Sequence, residues 1–258
     1  SRMWLSLAMS GHSDPEVQAE GAALMPIGEH MGGSDGSELP FKDQADRFGI
    51  RRWQLAGAVS FVDLDNDTHL DLVANGAYSA PELYRYSPSD GFTLTEDEAL
   101  GDIHNTPAGM AAADFDNDGY VDLYLTQAAW FSQGPNRLLR NKEGAGFEDV
   151  SNRGDSGLMN QNSCGVSALD FDRDGLVDLA VTGTSGGTLR LLRNMGNFEF
   201  QDVSQEAGIR ELSATAVGLA VGDVNGDGWD DIFVNSFSPP FGGIPSRGYT
   251  APNQLYIS

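Results

Sequence analysis

Asp114-Phe115-Asp116-Asn117-Asp118-Gly119-Tyr120-Val121-Asp122 places carboxylates at positions 1, 3, 5 and 9 of a nine-residue stretch, with glycine at position 6. Acids at alternate positions of a tight loop can turn toward one point, and the glycine permits the reversal this requires. The same pattern returns as Asp170-Phe171-Asp172-Arg173-Asp174-Gly175-Leu176-Val177-Asp178. Two looser copies flank these. Asp63-Leu64-Asp65-Asn66-Asp67-Thr68-His69-Leu70-Asp71 carries Thr68 in place of the glycine, and Asp223-Val224-Asn225-Gly226-Asp227-Gly228-Trp229-Asp230-Asp231 carries Asn225 at position 3. The first aspartates are spaced 51, 56 and 53 residues apart, which marks an internal repeat.

Outward from each loop the same sentence recurs. A run of small and apolar residues precedes it (57–61, 109–115, 165–171, 218–224), and a β-prone run follows (70–74, 121–126, 177–182, 232–235). A third run comes at 82–86, 136–140, 188–193 and 253–257, and a fourth at 92–95, 147–150 and 198–203. These runs are short, rich in Val, Leu, Phe and Tyr, and punctuated by Gly, Asn and Asp, which predicts an all-β chain. Four short strands per unit is the pattern of a β-propeller blade. A β-sandwich is the structural rival, but it would not repeat one loop at a fixed place in every unit. The reading is four clear four-stranded blades with an irregular fifth, or part of a larger propeller.

The two ends complement each other. Phe41 to Ile50 matches Phe200 to Ile209 in length and pattern, so it reads as a fourth strand without a complete blade ahead of it. Asn253 to Ser258 reads as a third strand without a fourth behind it. Either the two complete one blade and close the ring, removing its exposed edges, or the chain is a fragment whose missing blades come from elsewhere, including a partner chain or a homo-oligomer. Residues 1–40 form an irregular N-terminal segment, with Trp4 to Ser10 and Ala22 to Ile27 as candidate degenerate strands. Residues 41–258 carry the repeats.

The loops have the chemistry of a hard-cation site. Calcium takes six to eight oxygens in a flexible shell, magnesium holds to a stricter octahedron, and zinc prefers His or Cys, which these loops do not offer. The candidate ligands are Asp63, Asp65, Asp67 and Asp71, Asp114, Asp116, Asp118 and Asp122, Asp170, Asp172, Asp174 and Asp178, and Asp223, Asn225, Asp227 and Asp231. The backbone carbonyls of His69, Tyr120, Leu176 and Trp229 at position 7 join them. The spacing is that of the front of an EF-hand loop, but the last ligand is an aspartate at position 9, and strands flank it. Up to four calcium ions are expected. The Asp63–Asp71 site is the weakest, because Thr68 is strained if position 6 needs a positive φ. An amide at Asn225 lowers the charge of the fourth site.

Composition sets the wider bounds. The chain has 38 acidic and 15 basic residues, a formal charge of −23, which repels nucleic acid and anionic membranes. Much of that excess lies in the loops. No run approaches the roughly 20 apolar residues of a membrane span. The single Cys164 reads as a buried structural thiol, with no internal disulfide available. No convincing signal peptide follows Ser1-Arg2-Met3, while calcium use favours an extracellular or periplasmic setting over a cytoplasmic one.

One unit reads Asp122-Leu123-Tyr124, then Pro135-Asn136-Arg137-Leu138-Leu139-Arg140-Asn141, then Gly146-Phe147-Glu148-Asp149-Val150. Together with the loops, this resembles the FG-GAP or VCBS repeats of integrin-alpha-type calcium-binding β-propellers, over roughly residues 41 to 258. The resemblance implies fold and calcium, and little about function, since that family includes adhesion receptors, lectins and cofactor-independent lyases.

If each metal loop joins strands one and two, the connections between strands two and three lie on the opposite face. Two are elaborate, one with Trp130 and Phe131, the other with Phe237, Phe241, Arg247 and Tyr249. Aromatic-bearing loops on a rigid scaffold are where ligands bind. The leading functional reading is a calcium-stabilised binding module with a protein, carbohydrate or small-molecule ligand there. One alternative is a lectin-like carbohydrate binder. The other is an enzyme of lyase, hydrolase or cyclase type with a pocket on the propeller face. No catalytic residue is assigned. His12, His30, His69 and His104 form no motif, and Glu96-Asp97-Glu98 reads as solvated loop acids.

Overall fold

The computed structural model describes residues 44–48, 50, 57–75, 79–101, 103, 107–127, 134–157, 162–183, 189–209, 215–237 and 253–258. Two compact units divide the chain, Ser1–Arg47 and Phe48–Ser258. In the first, residues 45–47 lie in a turn, and Arg47 donates to Gln44 Oε1 at 3.3 Å. The candidate strands of residues 1–40 fall outside the described residues; of the fourth strand read over Phe41 to Ile50, residues 44–48 and 50 are described and form no strand.

The second unit is built from antiparallel meanders. The first sheet takes β1 (Val59–Val62), β2 (Asp71–Ala74), β3 (Glu82–Ser87) and β4 (Gly91–Thr95) in order. The second takes β5 (Pro107–Ala113), β6 (Asp122–Gln127), β7 (Arg137–Asn141) and β8 (Phe147–Asp149). The third takes β9 (Ser163–Leu169), β10 (Asp178–Gly183), β11 (Leu189–Asn194) and β12 (Phe200–Asp202). The last has three described strands, β13 (Thr215–Gly222), β14 (Asp231–Phe237) and β15 (Gln254–Tyr256), the third lying within the run read at 253–257. One four-residue helix, α1 (Glu98–Gly101), joins the first two sheets. Each sheet is a propeller-like blade.

The sheets stack face to face, and the core lies between them. Val62, Leu64, Val73 and Leu83 meet Leu123, Leu125, Leu139 and Phe147 across the first gap. Phe115, Tyr124 and Leu138 meet Leu179, Val181, Leu192 and Phe200 across the second. Leu169, Ala180 and Leu191 meet Ala216, Ile232 and Val234 across the third. Along β6, Leu123 and Leu125 therefore face one neighbour and Tyr124 the other, as strand periodicity demands. Because both faces are covered, all six residues of β6 and of β10 are buried, and the usual alternation disappears. At the two ends of the stack apolar side chains stay open: Phe61 is 59% exposed on β1 and Leu255 53% on β15.

The first strands of successive blades lie beside one another, β1 by β5, β5 by β9 and β9 by β13. Glycine makes the approach close. A Cβ on Gly109 would sit 2.4 Å from the Cys164 carbonyl oxygen, which instead accepts the Thr126 hydroxyl at 2.6 Å. Cys164 itself, read as buried, is half-buried on β9, and burial pushes its thiol up.

Asp97 departs from the reading as a solvated acid. Its Oδ1 accepts the Leu100 N–H at the start of α1, and its Oδ2 accepts the Phe147 N–H of the next blade at 2.9 Å. The Pro-Asn of the repeat also has a structural use. Buried Asn136 accepts the Gln127 N–H and donates to Tyr124 Oη and Ser163 Oγ, tying β6, β7 and β9 together.

Candidate metal centre

Every acidic loop joins the first and second strands of its blade, so all four loops leave the same end of their sheets. The closing aspartate at position 9 opens the second strand and is almost fully enclosed: Asp71 is 1% exposed, Asp122 and Asp178 0%, Asp231 2%. Each closing carboxylate bridges its own loop and the third strand. Asp122 accepts Phe115 N–H at 2.9 Å and Asn141 N–H at 2.7 Å, and Asp178 accepts Phe171 N–H at 3.0 Å and Asn194 N–H at 2.8 Å. Asp71 and Asp231 make the matching pairs with Leu64 and Tyr86, and with Val224 and Ser258.

Backbone donors orient the remaining acids. In loop two Asp114 Oδ2 accepts Gly119 N–H at 2.8 Å, Asp116 Oδ1 accepts Asp118 N–H at 3.2 Å, and Asp118 Oδ1 accepts Tyr120 N–H at 3.0 Å. Loops one, three and four repeat this set, with Thr68, Gly175 and Gly228 as donors to the first aspartate. Oxygens of Asp114, Asp116 and Asp122 come within 4.8 Å of one another, as do those of Asp170, Asp172 and Asp178.

Loop one converges differently, through Asp63, Asp65 and Asp67. Its Asp71 is drawn instead to Arg85, whose Nη1 lies 2.6 Å from Oδ2. Thr68 has φ 74° where Gly119, Gly175 and Gly228 have 91°, 85° and 86°, so position 6 does require a positive φ. The His69 ring lies 3.3 Å from Asp67 Oδ1, and in loop four Asn225 takes part through an amide that donates to Asp227 at 2.8 Å.

Enclosure of the carboxylates shows in their proton affinity. Burial pushes Asp122 up to about 7 and Asp178 up to about 6; N–H donors from the third strand and the loop oppose the rise, and the position-3 and position-5 charges add to it. Asp116 and Asp65 are also raised, first by burial. In loop four the N–H groups of Ser258 and Val224 hold Asp231 below its ordinary value. The donor set fits a hard cation: only oxygens converge, and Asp170 Oδ1 is a buried carboxylate oxygen with no hydrogen-bond partner.

Residues that the loop pattern did not single out also reach the site. Arg140 pairs with Asp116 and Asp118, and Arg193 with Asp172 and Asp174. The repeated Leu-Arg-Asn of 139–141 and 192–194 was the available signal. Of the residues read as a ligand face, Trp130, Phe131, Phe241, Arg247 and Tyr249 fall outside the described residues, and Phe237 ends β14 with only its backbone described; His12, His30 and His104 also fall outside.

The FG-GAP-like repeat family matches residues 63–125 and 170–234, each stretch opening on the first aspartate of a loop and running into a second strand. The chain carries FG-GAP-like repeats in these two stretches. Among relatives of these FG-GAP-like repeats, Cartilage acidic protein 1 of Mus musculus is 28% identical over 130 residues, covering 48% of this chain and 20% of the relative. The Xenopus tropicalis protein of the same name is 26% identical over 148 residues, 55% of this chain and 23% of the relative. Phosphatidylinositol-glycan-specific phospholipase D of Mus musculus is 25% identical over 246 residues, 83% of this chain and 27% of the relative. The chain thus spans a fifth to about a quarter of the curated relatives it matches. Among the described residues no helix is long and apolar enough to cross a membrane.

Proposed function

We propose that this chain is a calcium-stabilised FG-GAP propeller segment acting as an interaction module, with its partner on the loops opposite the metal loops. The observation that carries the calcium reading is the buried, unpartnered Asp170 Oδ1 inside a loop of four carboxylates. An ion would satisfy that oxygen and offset the burial, and the lesser repulsion from Asp172 and Asp174, that raise Asp178. Asp114, Asp116, Asp118 and Asp122, and their counterparts at Asp63–Asp71, Asp170–Asp178 and Asp223–Asp231, would hold it. The carbonyls of His69, Tyr120, Leu176 and Trp229 would complete each shell.

The ion's role is structural. Each loop sits between two strands and touches the third, so metal binding becomes folding energy for the blade. Dependence on calcium favours an extracellular setting. The interaction reading is supported by topology: the β6–β7 and β14–β15 connections leave the sheet ends opposite the metal loops, and their sequences carry Trp130, Phe131, Phe241, Arg247 and Tyr249. Among the described residues, the carboxyl groups pushed furthest from their ordinary range are Asp122 and Asp178 of the metal loops, which favours binding over catalysis.

Thermal unfolding with calcium and with excess chelator tests the reading. The expected result is a midpoint lower by about 10 °C after chelation. An unchanged midpoint, with metal loss confirmed by elemental analysis, overturns it.

A further inference from the structure

Each metal loop touches the next. Asn66, at position 4 of loop one, donates from Nδ2 to the carbonyl of Gly119, at position 6 of loop two, at 3.0 Å. Asn117, at position 4 of loop two, donates to the carbonyl of Gly175, at position 6 of loop three, at 3.1 Å. Arg173, at position 4 of loop three, stacks 3.9 Å from the centre of the Trp229 ring in loop four. Contacts also run backward. Asn141 Nδ2 donates to Leu64 O in the preceding loop at 2.8 Å and to Val121 O in its own at 2.9 Å. Asn194 does the same with Phe115 O at 2.8 Å and Val177 O at 3.0 Å.

Position 4 is not a ligand position. It lies between the acids of positions 3 and 5, at φ 59°, 58° and 59° for Asn66, Asn117 and Arg173. Three successive loops aim this side chain at the same part of the following loop. In loop four the position is Gly226, with φ 78°, and the row ends there.

We propose that the loops take up cations as a coupled row, with Asn66, Asn117 and Arg173 as the positioning residues that link each site to the next. The inference rests on the calcium reading above. The acceptor at position 6 is one peptide away from the position-7 carbonyl of the same loop. An ion that orders one loop fixes that acceptor, and so fixes the position-4 side chain and the flanking ligands of the preceding loop. A loop already ordered by its neighbour loses less freedom when its own ion arrives, which is positive cooperativity. The coupling is reciprocal, and a factor of roughly fivefold or more between neighbours is typical of such linkage.

Trp229 makes one pair directly readable. It occupies position 7 of loop four and lies against Arg173 of loop three, so exciting tryptophan sensitises terbium in either loop, and the part of the signal lost on D223N/D227N gives the loop-four affinity. Four full-length chains form a cycle: wild type, D170N/D172N to disable loop three, R173G to remove the link, and the combination. Glycine suits the φ at position 173 and is what loop four itself carries. Disabling loop three should weaken loop four about fivefold, and R173G should abolish that dependence. An unchanged loop-four midpoint when loop three is disabled overturns the coupling, as does a dependence that survives R173G. Calcium calorimetry on R173G and N117G with all ligands intact is the second measurement. The expected result is unchanged stoichiometry with lost cooperativity, and wild-type cooperativity in both variants overturns the proposal. No uptake of calcium or terbium by the wild type overturns the metal reading itself, whereas uptake at independent sites overturns the coupling alone.

Discussion

Arg140 closes on Asp116 in the loop of its own blade, with Nε 3.2 Å from Oδ2, and its Nη2 lies 3.1 Å from Asp118 Oδ2. Arg193 repeats the arrangement at 2.6 Å from Asp172 and 3.2 Å from Asp174. The matching residue of the fourth blade is Ile257, since Asn141, Asn194 and Ser258 make the same backbone contact to the closing aspartates. Three blades thus carry a cation on their own third strand beside their acids, counting Arg85, and the fourth has none at that position.

A tethered guanidinium favours the metal-free loop over the loaded one, because calcium already neutralises the carboxylates it would otherwise serve. R140Q and R193Q should therefore tighten calcium binding at loops two and three, by about 1 kcal/mol or roughly fivefold each. The same variants should lower the chelator-treated melting midpoint. Calorimetry and thermal scans of the two variants check both halves; weaker calcium binding would reverse the assigned role.

Thr68 gives a second expectation. A β-branched residue at φ 74° is strained by about 1–2 kcal/mol relative to glycine. T68G should raise stability by about 1 kcal/mol and strengthen the first metal site, read by chelator-free and chelator-treated melting. A loss of stability would show that the threonine side chain is needed at this turn.

The loops and the blade pattern were legible because both are local: ligand spacing sits within nine residues, and strand runs announce themselves by composition. Thr68 was legible for the same reason, as a departure from a pattern seen in three sister loops. Arg140 and Asn141 were not. Their partners lie about twenty residues back in their own blade or in the blade before, and only the register of β7 against β6 decides which way each points. Asp97 was misjudged on similar grounds, since a run of three acids gives no sign that one of them caps α1 and receives a hydrogen bond from β8.

Asp122 and Asp178 set a pH dependence whose sign is unusual for carboxylates. Both are raised, to about 7 and about 6, so the metal-free fold holds protons that the unfolded chain has already released above about pH 4. Stability of the chelated chain should therefore fall as pH rises from about 5 to 8. Calcium binding displaces those protons, so affinity at loops two and three should weaken by roughly tenfold on acidification from pH 7.5 to 5.5. Thermal scans in chelator and calcium calorimetry across that range check the two opposite trends.

Asn141 carries the sharpest test of how the blades are joined. Its side chain is buried, its Nδ2 serves Leu64 O and Val121 O, and its Oδ1 accepts the Gly144 N–H at 2.8 Å. N141A leaves two carbonyls and one N–H without this partner in an enclosed seam, at about 1–3 kcal/mol for each unsatisfied group. The loss should be about 3 kcal/mol and should appear in calcium as well as in chelator, because the contacts are made by the protein alone. The same substitution at Asn194 should act alike, through Phe115 O and Val177 O. If N141A instead lowered only the calcium-dependent part of the stability, the asparagine would be acting through the ion site and not as a stitch between blades.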